Sequence, residues 1–226
     1  GAAAARPAPR VHPVLEQLAA LYPHLFGAVF RPLKRGVYQD LLAAHAEALD
    51  KNGLKEALAQ HTRSTRYLGS GAAGMPRHDL QGQPVEAMAP EHVHHAVLEV
   101  FRRRQGRTPE DQRAPLRERA VQAMVDALEA SGLTRAAYDE RVRGRDDTAN
   151  ALLDDALAQA SARAAREEAL LRAFEASGQT PQTFADMYGL DPRQAPQTLA
   201  RARRRREVVA AASAEAAAAA APSVEA

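Results

Sequence analysis

The side chains best suited to do chemistry lie between Thr62 and Pro84. Arg63, Arg66 and Tyr67 share one short basic helical stretch. Gly69, Gly71 and Gly74 follow in a connection that needs either unusual backbone angles or a close approach. Arg77-His78-Asp79-Leu80 and Gln83-Pro84-Val85 then flank a Gln81-Gly82 turn. This is a hairpin signal in which the glycine takes positive φ and Pro84, lacking an N–H, marks an edge strand. A helix end and a hairpin lip, both carrying arginine, would face each other across a loop with an exposed Tyr67 between them. Guanidinium donors beside an aromatic plane suit a phosphate backbone and an unstacked base better than a small metabolite. The chemistry implied is grip, not bond-breaking.

Helices must hold these groups. His12 to Tyr22 places Val14, Leu15, Leu18 and Leu21 at helical spacing, with Pro13 in the first turn and Pro23 ending or bending the helix. Arg31, Lys34 and Arg35 surround Pro32 and precede Gly36, and a second helix begins with Val37, Leu41, Leu42 and Leu49. Lys51-Asn52-Gly53 reads as a turn and Leu54 to His61 as a third helix, with the basic stretch as a fourth. Ala89 to Arg104 is an amphipathic fifth, with Pro90 and Glu91 at its start and Arg102 to Arg104 at its end, as the macrodipole favours. Gly106 and Pro109 then break the chain.

At this point the sequence resembles the ProQ/FinO family of bacterial RNA chaperones. The resemblance rests on Arg31-Pro-Leu-Lys34 with Gly36 and Gln39-Asp40-Leu41, on Thr62-x-Ser-x-Arg66-Tyr67-Leu68, on Arg77-x-Asp79-Leu80-x-Gly82-x-Pro84, and on Glu91-His92-Val93-x-His95-Ala96. It covers about residues 12–104. It implies a mostly α, compact five-helix domain with one small β-hairpin that binds structured RNA at the base of a stem and its 3′ single-stranded tail. In the family such binding favours pairing between a small RNA and its target, or protects 3′ ends. Carried onto this chain, Arg31 and Lys34 would hold duplex phosphates, and Tyr67 and Arg77 would sit at the pocket for the 3′ end. Thr62 and Ser64 would orient terminal groups at a helix N-terminus, and Lys51, Lys55 and Arg66 would widen the cationic face. The chain departs from the family pattern at Thr65 and His61, where an aromatic is expected.

Composition bounds the alternatives. The 226 residues hold no Cys and no Trp, and only 4% are aromatic, so a core must come from Leu, Ala and Val in helices. Without Cys there are no disulfides, thiolate zinc sites or cysteine nucleophiles. No apolar run approaches the roughly 18 residues of a membrane span, and Gly1 to Pro7 lacks the apolar stretch of a secretory signal. A cytoplasmic protein without membrane contact is the expectation. Charge is uneven: residues 1–107 carry 14 Lys/Arg against 9 Asp/Glu and all 8 His, whereas 108–226 carry 16 against 19. The first part is the better partner for a polyanion.

Other chemistry finds little support. Glu91, His92, His94 and His95 lie near metal-ligand spacing, but their positions diverge around a helix, so surface and capping roles are expected and no metal. Asp40 and Asp79 lack a neighbouring nucleophile and read as turn or ion-pair residues. No Walker-type phosphate loop is present, and neither a catalytic residue nor a cofactor is expected. Taken alone, Arg31 and Lys34 also read as solvated first-turn residues, and Tyr67 equally as a half-buried packing residue.

The remainder forms a helical extension. Leu128-Glu-Ala-Ser-Gly-Leu-Thr134 returns 46 residues later as Phe174-Glu-Ala-Ser-Gly-Gln-Thr180, with an aromatic four positions on at Tyr138 and Phe184. This is an internal repeat of a helix-turn-helix hairpin, with Ser-Gly closing one helix and Thr capping the next. A long Ala-rich helix from Asp147 to Phe174 joins the copies. The organisation expected is a disordered lead (1–10), an RNA-binding domain (11–105), a helical extension (106–206) and a disordered Ala-rich tail (207–226). The run Arg203 to Arg206 would serve as an auxiliary RNA contact or a solvated helix end. Two rival functions are a DNA-binding regulator acting through the second hairpin, and a module for protein interaction or self-association.

Overall fold

A computed structural model describes residues 11–220, so the expectations for 1–10 and 221–226 lie outside the described residues. The chain divides into two compact units between Leu116 and Arg117.

The first unit is built by local capping. His12 accepts the Val14 N–H and Pro13 opens α1 (Pro13–Leu21). Pro23 starts a separate single turn, α2 (Pro23–Phe26), so among the described residues up to Gln105 six helices stand where five were expected. Gly36 precedes α3 (Val37–Ala44). The second helix therefore stops short of Leu49, which is buried in the following turn. Lys51 to Gly53 do not form the expected turn: Asp50 Oδ2 accepts the Gly53 N–H at 2.6 Å and makes them the first turn of α4 (Lys51–Thr62). Ser64 caps α5 (Thr65–Ala72) by accepting the Tyr67 N–H at 3.1 Å.

Gly69 and Gly71 are thus helical and not part of a connection. Gly71 sits where a Cβ would lie 3.4 Å from both Ala96 Cβ and Met88 Cε, so the close approach is real there, against α6 (Pro90–Gln105). The strands β1 (Arg77–His78) and β2 (Pro84–Glu86) pair antiparallel. Asp79 Oδ1 accepts the Gln81 and Gln83 N–H groups at 3.0 and 2.9 Å, and Gly82 takes φ 76°. On its other side β1 makes a parallel bridge through His78 to Leu33, which leaves β2 as the edge. Leu18, Leu25, Phe26, Leu33, Val37, Leu41, Leu49, Leu54, Leu58 and Leu80 form one buried cluster.

The second unit repeats itself. In α7 (Arg113–Ser131) and α9 (Asp147–Ser177), Ser131 and Ser177 donate to the Leu128 and Phe174 carbonyls at 2.6 and 2.7 Å. Thr134 and Thr180 then cap α8 (Arg135–Val142) and α10 (Pro181–Tyr188). Tyr138 and Phe184 are buried at matching places, and Ala149, Leu153 and Ala156 of α9 match Ala195, Leu199 and Ala202 of α11 (Ala195–Ala220). The expected disorder from residue 207 is not seen up to Ala220, where α11 continues; alanine has the highest helix propensity. No helix among the described residues is long and apolar enough to cross a membrane.

Candidate nucleic-acid interface

Two of the expected binding residues, Tyr67 and Arg77, converge on one short stretch of main chain, Arg31 to Lys34, which carries two more. His78 donates its backbone N–H to the Pro32 carbonyl, and Lys34 donates its own to the His78 carbonyl, both at 2.8 Å. The Leu33 N–H donates to the Tyr67 hydroxyl at 3.0 Å, and Arg77 Nη1 donates to the Leu33 carbonyl at 3.0 Å. Tyr67 from α5 and Arg77 from β1 therefore grip the same residue from two elements, with Arg31 and Lys34 on either side.

Each side chain has a further role in the fold. Arg31 Nη1 donates to the His24 carbonyl at 3.2 Å. Lys34 Nζ lies 2.8 Å from Asp40 Oδ2, and this hydrogen bond with its attendant charge attraction raises the lysine pKa. A pair this exposed adds little stability but keeps Lys34 charged. Arg77 is only 16% exposed at its side chain; Nη2 lies 3.3 Å from His92 Nδ1 and Nε 3.7 Å from Glu86. Tyr67 is half-buried, not exposed as expected, because its ring packs on the core cluster. Its hydroxyl accepts from Leu33 and keeps its own proton to donate.

Around this centre, Thr62 is the last residue of α4, its Oγ1 donating back to the Leu58 carbonyl at 2.9 Å, so of the expected pair Ser64 alone stands at a helix N-terminus. The α5 N-terminus offers the partial positive charge of a helix start. Arg66, the second residue of α5, is exposed; it donates to the Ala28 carbonyl and lies 4.1 Å over the Phe30 ring. Lys51 and Lys55 are exposed on the first turns of α4, tied to α3 by the Tyr38 hydroxyl, which donates to the Lys51 carbonyl at 3.5 Å. No contact joins them to Arg77 or Tyr67 among the described residues.

Four contributors were not foreseen. Phe30 supports Arg66; His24 places Nε2 3.1 Å from the Leu80 carbonyl and lies under Gly82; Arg103 of α6 donates to the Arg63 carbonyl at 2.7 Å and to Thr65 Oγ1 at 3.2 Å; His92 meets Arg77. His61 fills the place of the expected aromatic, packed among Phe26, Phe30 and Tyr67 with ring centroids 4.7, 4.4 and 5.2 Å away. Burial, then the charge of Arg66, lowers its pKa to about 4.

His94 is buried, a correction to its expected surface role, because it faces inward beside Val93 and Val97, and burial lowers its pKa. Among the described residues no group of three or more His, Asp or Glu could hold a metal ion.

The run Arg203 to Arg206 is solvated in part: Arg203 and Arg204 are exposed, whereas Arg205 and Arg206, with Arg201 before them, are paired. Arg201 and Arg205 bond Glu167, and Arg205 also reaches Glu129 at 3.1 Å. Arg206 pairs with Glu168 at 2.9 Å and Glu175 at 3.1 Å. Burial alone raises the Glu167 pKa, but its two guanidinium partners outweigh this and hold it below the usual carboxylate value. Half of this run is neutralised within its own unit.

Residues 8–113 match the ProQ/FINO family. The chain is 38% identical over 91 residues to the RNA chaperone ProQ of Histophilus somni (strain 2336), covering 38% of this chain and 43% of that protein. It is 44% identical over 68 residues to the RNA chaperone ProQ of Aeromonas salmonicida (strain A449), covering 29% and 32%. The chain thus spans less than half the length of the curated relatives it matches. Through residues 8–113, the chain is similar to the ProQ/FINO family.

Proposed function

We propose that the ProQ/FINO domain is a non-catalytic RNA-binding domain. It holds a structured RNA at the base of a stem and at its 3′ single-stranded tail, and so favours pairing of small RNAs with their targets or protects 3′ ends in the cytoplasm. The observation that carries this reading is the joint grip of Tyr67 and Arg77 on Leu33. It sets an aromatic ring and several cations around one segment of main chain, next to a capped helix start. An A-form duplex is read through its backbone and shape, for which Arg31, Lys34, Lys51 and Lys55 supply charge without a sequence code. A single-stranded end adds stacking and the hydroxyl donors of Ser64 and Tyr67, while Thr62 Oγ1, whose proton goes to the Leu58 carbonyl, is left to accept. The relatives named as RNA chaperones support the same reading. A DNA-binding role for the second helical hairpin has less support, because Arg201, Arg205 and Arg206 are engaged by Glu129, Glu167, Glu168 and Glu175.

The test is binding of the full chain to a labelled RNA hairpin with a 3′ tail, the same hairpin blunt, and a DNA duplex of equal length at one salt concentration. Tight, tail-dependent binding to RNA is expected. Weak binding indifferent to RNA or DNA would overturn the reading.

A further inference from the structure

Arg66 is held differently from a phosphate-seeking arginine. A side chain that only hooks phosphates keeps its rotamers and all its donors free, whereas the Arg66 guanidinium is fixed twice. One nitrogen donates to the Ala28 carbonyl, and Cζ lies over the Phe30 ring, 4.1 Å from its centroid. Both partners belong to a loop 36 to 38 residues back in the chain, and Arg66 itself is exposed. Phe30 is half-exposed and stands outside the buried leucine cluster of this unit. It rests on the His61 ring, centroids 4.4 Å apart, and His61 in turn packs on Phe26 and Tyr67. The support is therefore rigid from the core outward to the exposed guanidinium. It is also electrically suited: burial keeps His61 neutral near pH 7, so no imidazolium opposes Arg66.

A planar cation fixed on an aromatic ring presents a second flat face. Nucleobases stack on guanidinium planes as they do on aromatic rings, while the in-plane N–H edge stays available to a phosphate. We propose that Arg66 on Phe30 is a stacking platform for one unpaired nucleobase of the bound RNA, adjacent to Tyr67. This rests on the RNA-binding reading above and assigns a base, not a phosphate, to Arg66. An aromatic side chain of a protein partner is the competing occupant, and the test separates the two.

The experiment uses the full chain and a hairpin RNA carrying 2-aminopurine at each tail position in turn, with fluorescence quenching as the readout. One tail position is expected to be strongly quenched by the unaltered protein. Arg66→Lys keeps the charge but loses the plane, and Phe30→Leu keeps an apolar side chain but loses the ring. Both should abolish that quench and lower affinity for the tailed hairpin at least about fivefold more than for the blunt one. With Arg66→Lys the slope of log affinity against log salt should persist, since no charge is lost. Should Phe30→Leu fold poorly, Arg66→Lys at an exposed site still decides the matter. The platform is overturned if RNA binds but no tail position is quenched, or if the quench survives Arg66→Lys. Absence of RNA binding by the unaltered protein would instead remove the RNA-binding reading, and the platform with it.

Discussion

Tyr67 shows how one residue serves both fold and site. Its hydroxyl is the partner of the Leu33 N–H, and Leu33 is buried at 3% exposure. Tyr67→Phe keeps the ring but leaves that N–H without a partner, which should cost about 1–2 kcal/mol. The midpoint of denaturant unfolding measures it, and an unchanged midpoint would mean the N–H finds another acceptor. His61 yields a pH prediction. Its folded pKa of about 4 lies below the ordinary 6.5 of the unfolded chain. Between those values the unfolded state binds the extra proton, so stability present above pH 6.5 is lost as pH falls toward 4, by up to about 3 kcal/mol. His61→Phe should shrink that loss in thermal unfolding followed from pH 7 to 4.5. His94, shifted in the same direction, leaves a residual slope. An unaltered slope would show that His61 is not the group responsible. The binding side chains were legible because Arg, Lys and Tyr stand in a recognisable order. Phe30 was not, because an aromatic in a loop has no periodicity to assign it, and its partner Arg66 lies 36 residues away.

The hairpin is where a single element bears most directly on the site, since β1 carries Arg77 and bridges Leu33. Gly82 takes φ 76°, and a Cβ there would lie 2.6 Å from His24 Cδ2. Gly82→Ala should therefore both strain the turn and push His24 away from the Leu80 carbonyl, destabilising the domain by more than about 1 kcal/mol. Denaturant unfolding and tailed-hairpin affinity should fall together; a variant as stable as the parent would place the strain elsewhere. Element types and the hairpin were readable because caps and turns are local chemistry, and the Ser-Gly-x-Thr repeat is written twice in the sequence. The boundary at Asp50 was misread since Asn52-Gly53 is a strong turn signal, while the carboxylate bonded to the Gly53 N–H outweighs it. Gly69 and Gly71 misled for a similar reason: their role is set by what packs against α5, which lies some 20 residues on.

At the scale of the whole molecule the two units differ in how their charge is used. The first pairs Lys34 and Arg77 with its own carboxylates but keeps exposed cations at Lys51, Lys55 and Arg66. The second pairs Arg117, Arg143, Arg201, Arg205 and Arg206 with acidic residues of its own. The sequence count of charges pointed this way, but which arginines are neutralised depends on a 46-residue repeat bringing α9 and α11 together. Ending the chain after Leu116 should leave affinity for a tailed RNA hairpin within about twofold, because the expected contacts all precede that residue. A collapse of affinity in a fragment that retains its helical circular dichroism would make the second unit part of the site.

The most direct measurement of the central claim is amide chemical-shift mapping of the full chain during titration with a tailed RNA hairpin. The account predicts that the largest changes fall in Arg31 to Lys34, Thr62 to Tyr67 and Arg77, with smaller ones at Lys51 and Lys55. Changes centred on α11, with residues 31–34 and 62–67 unmoved, would contradict it.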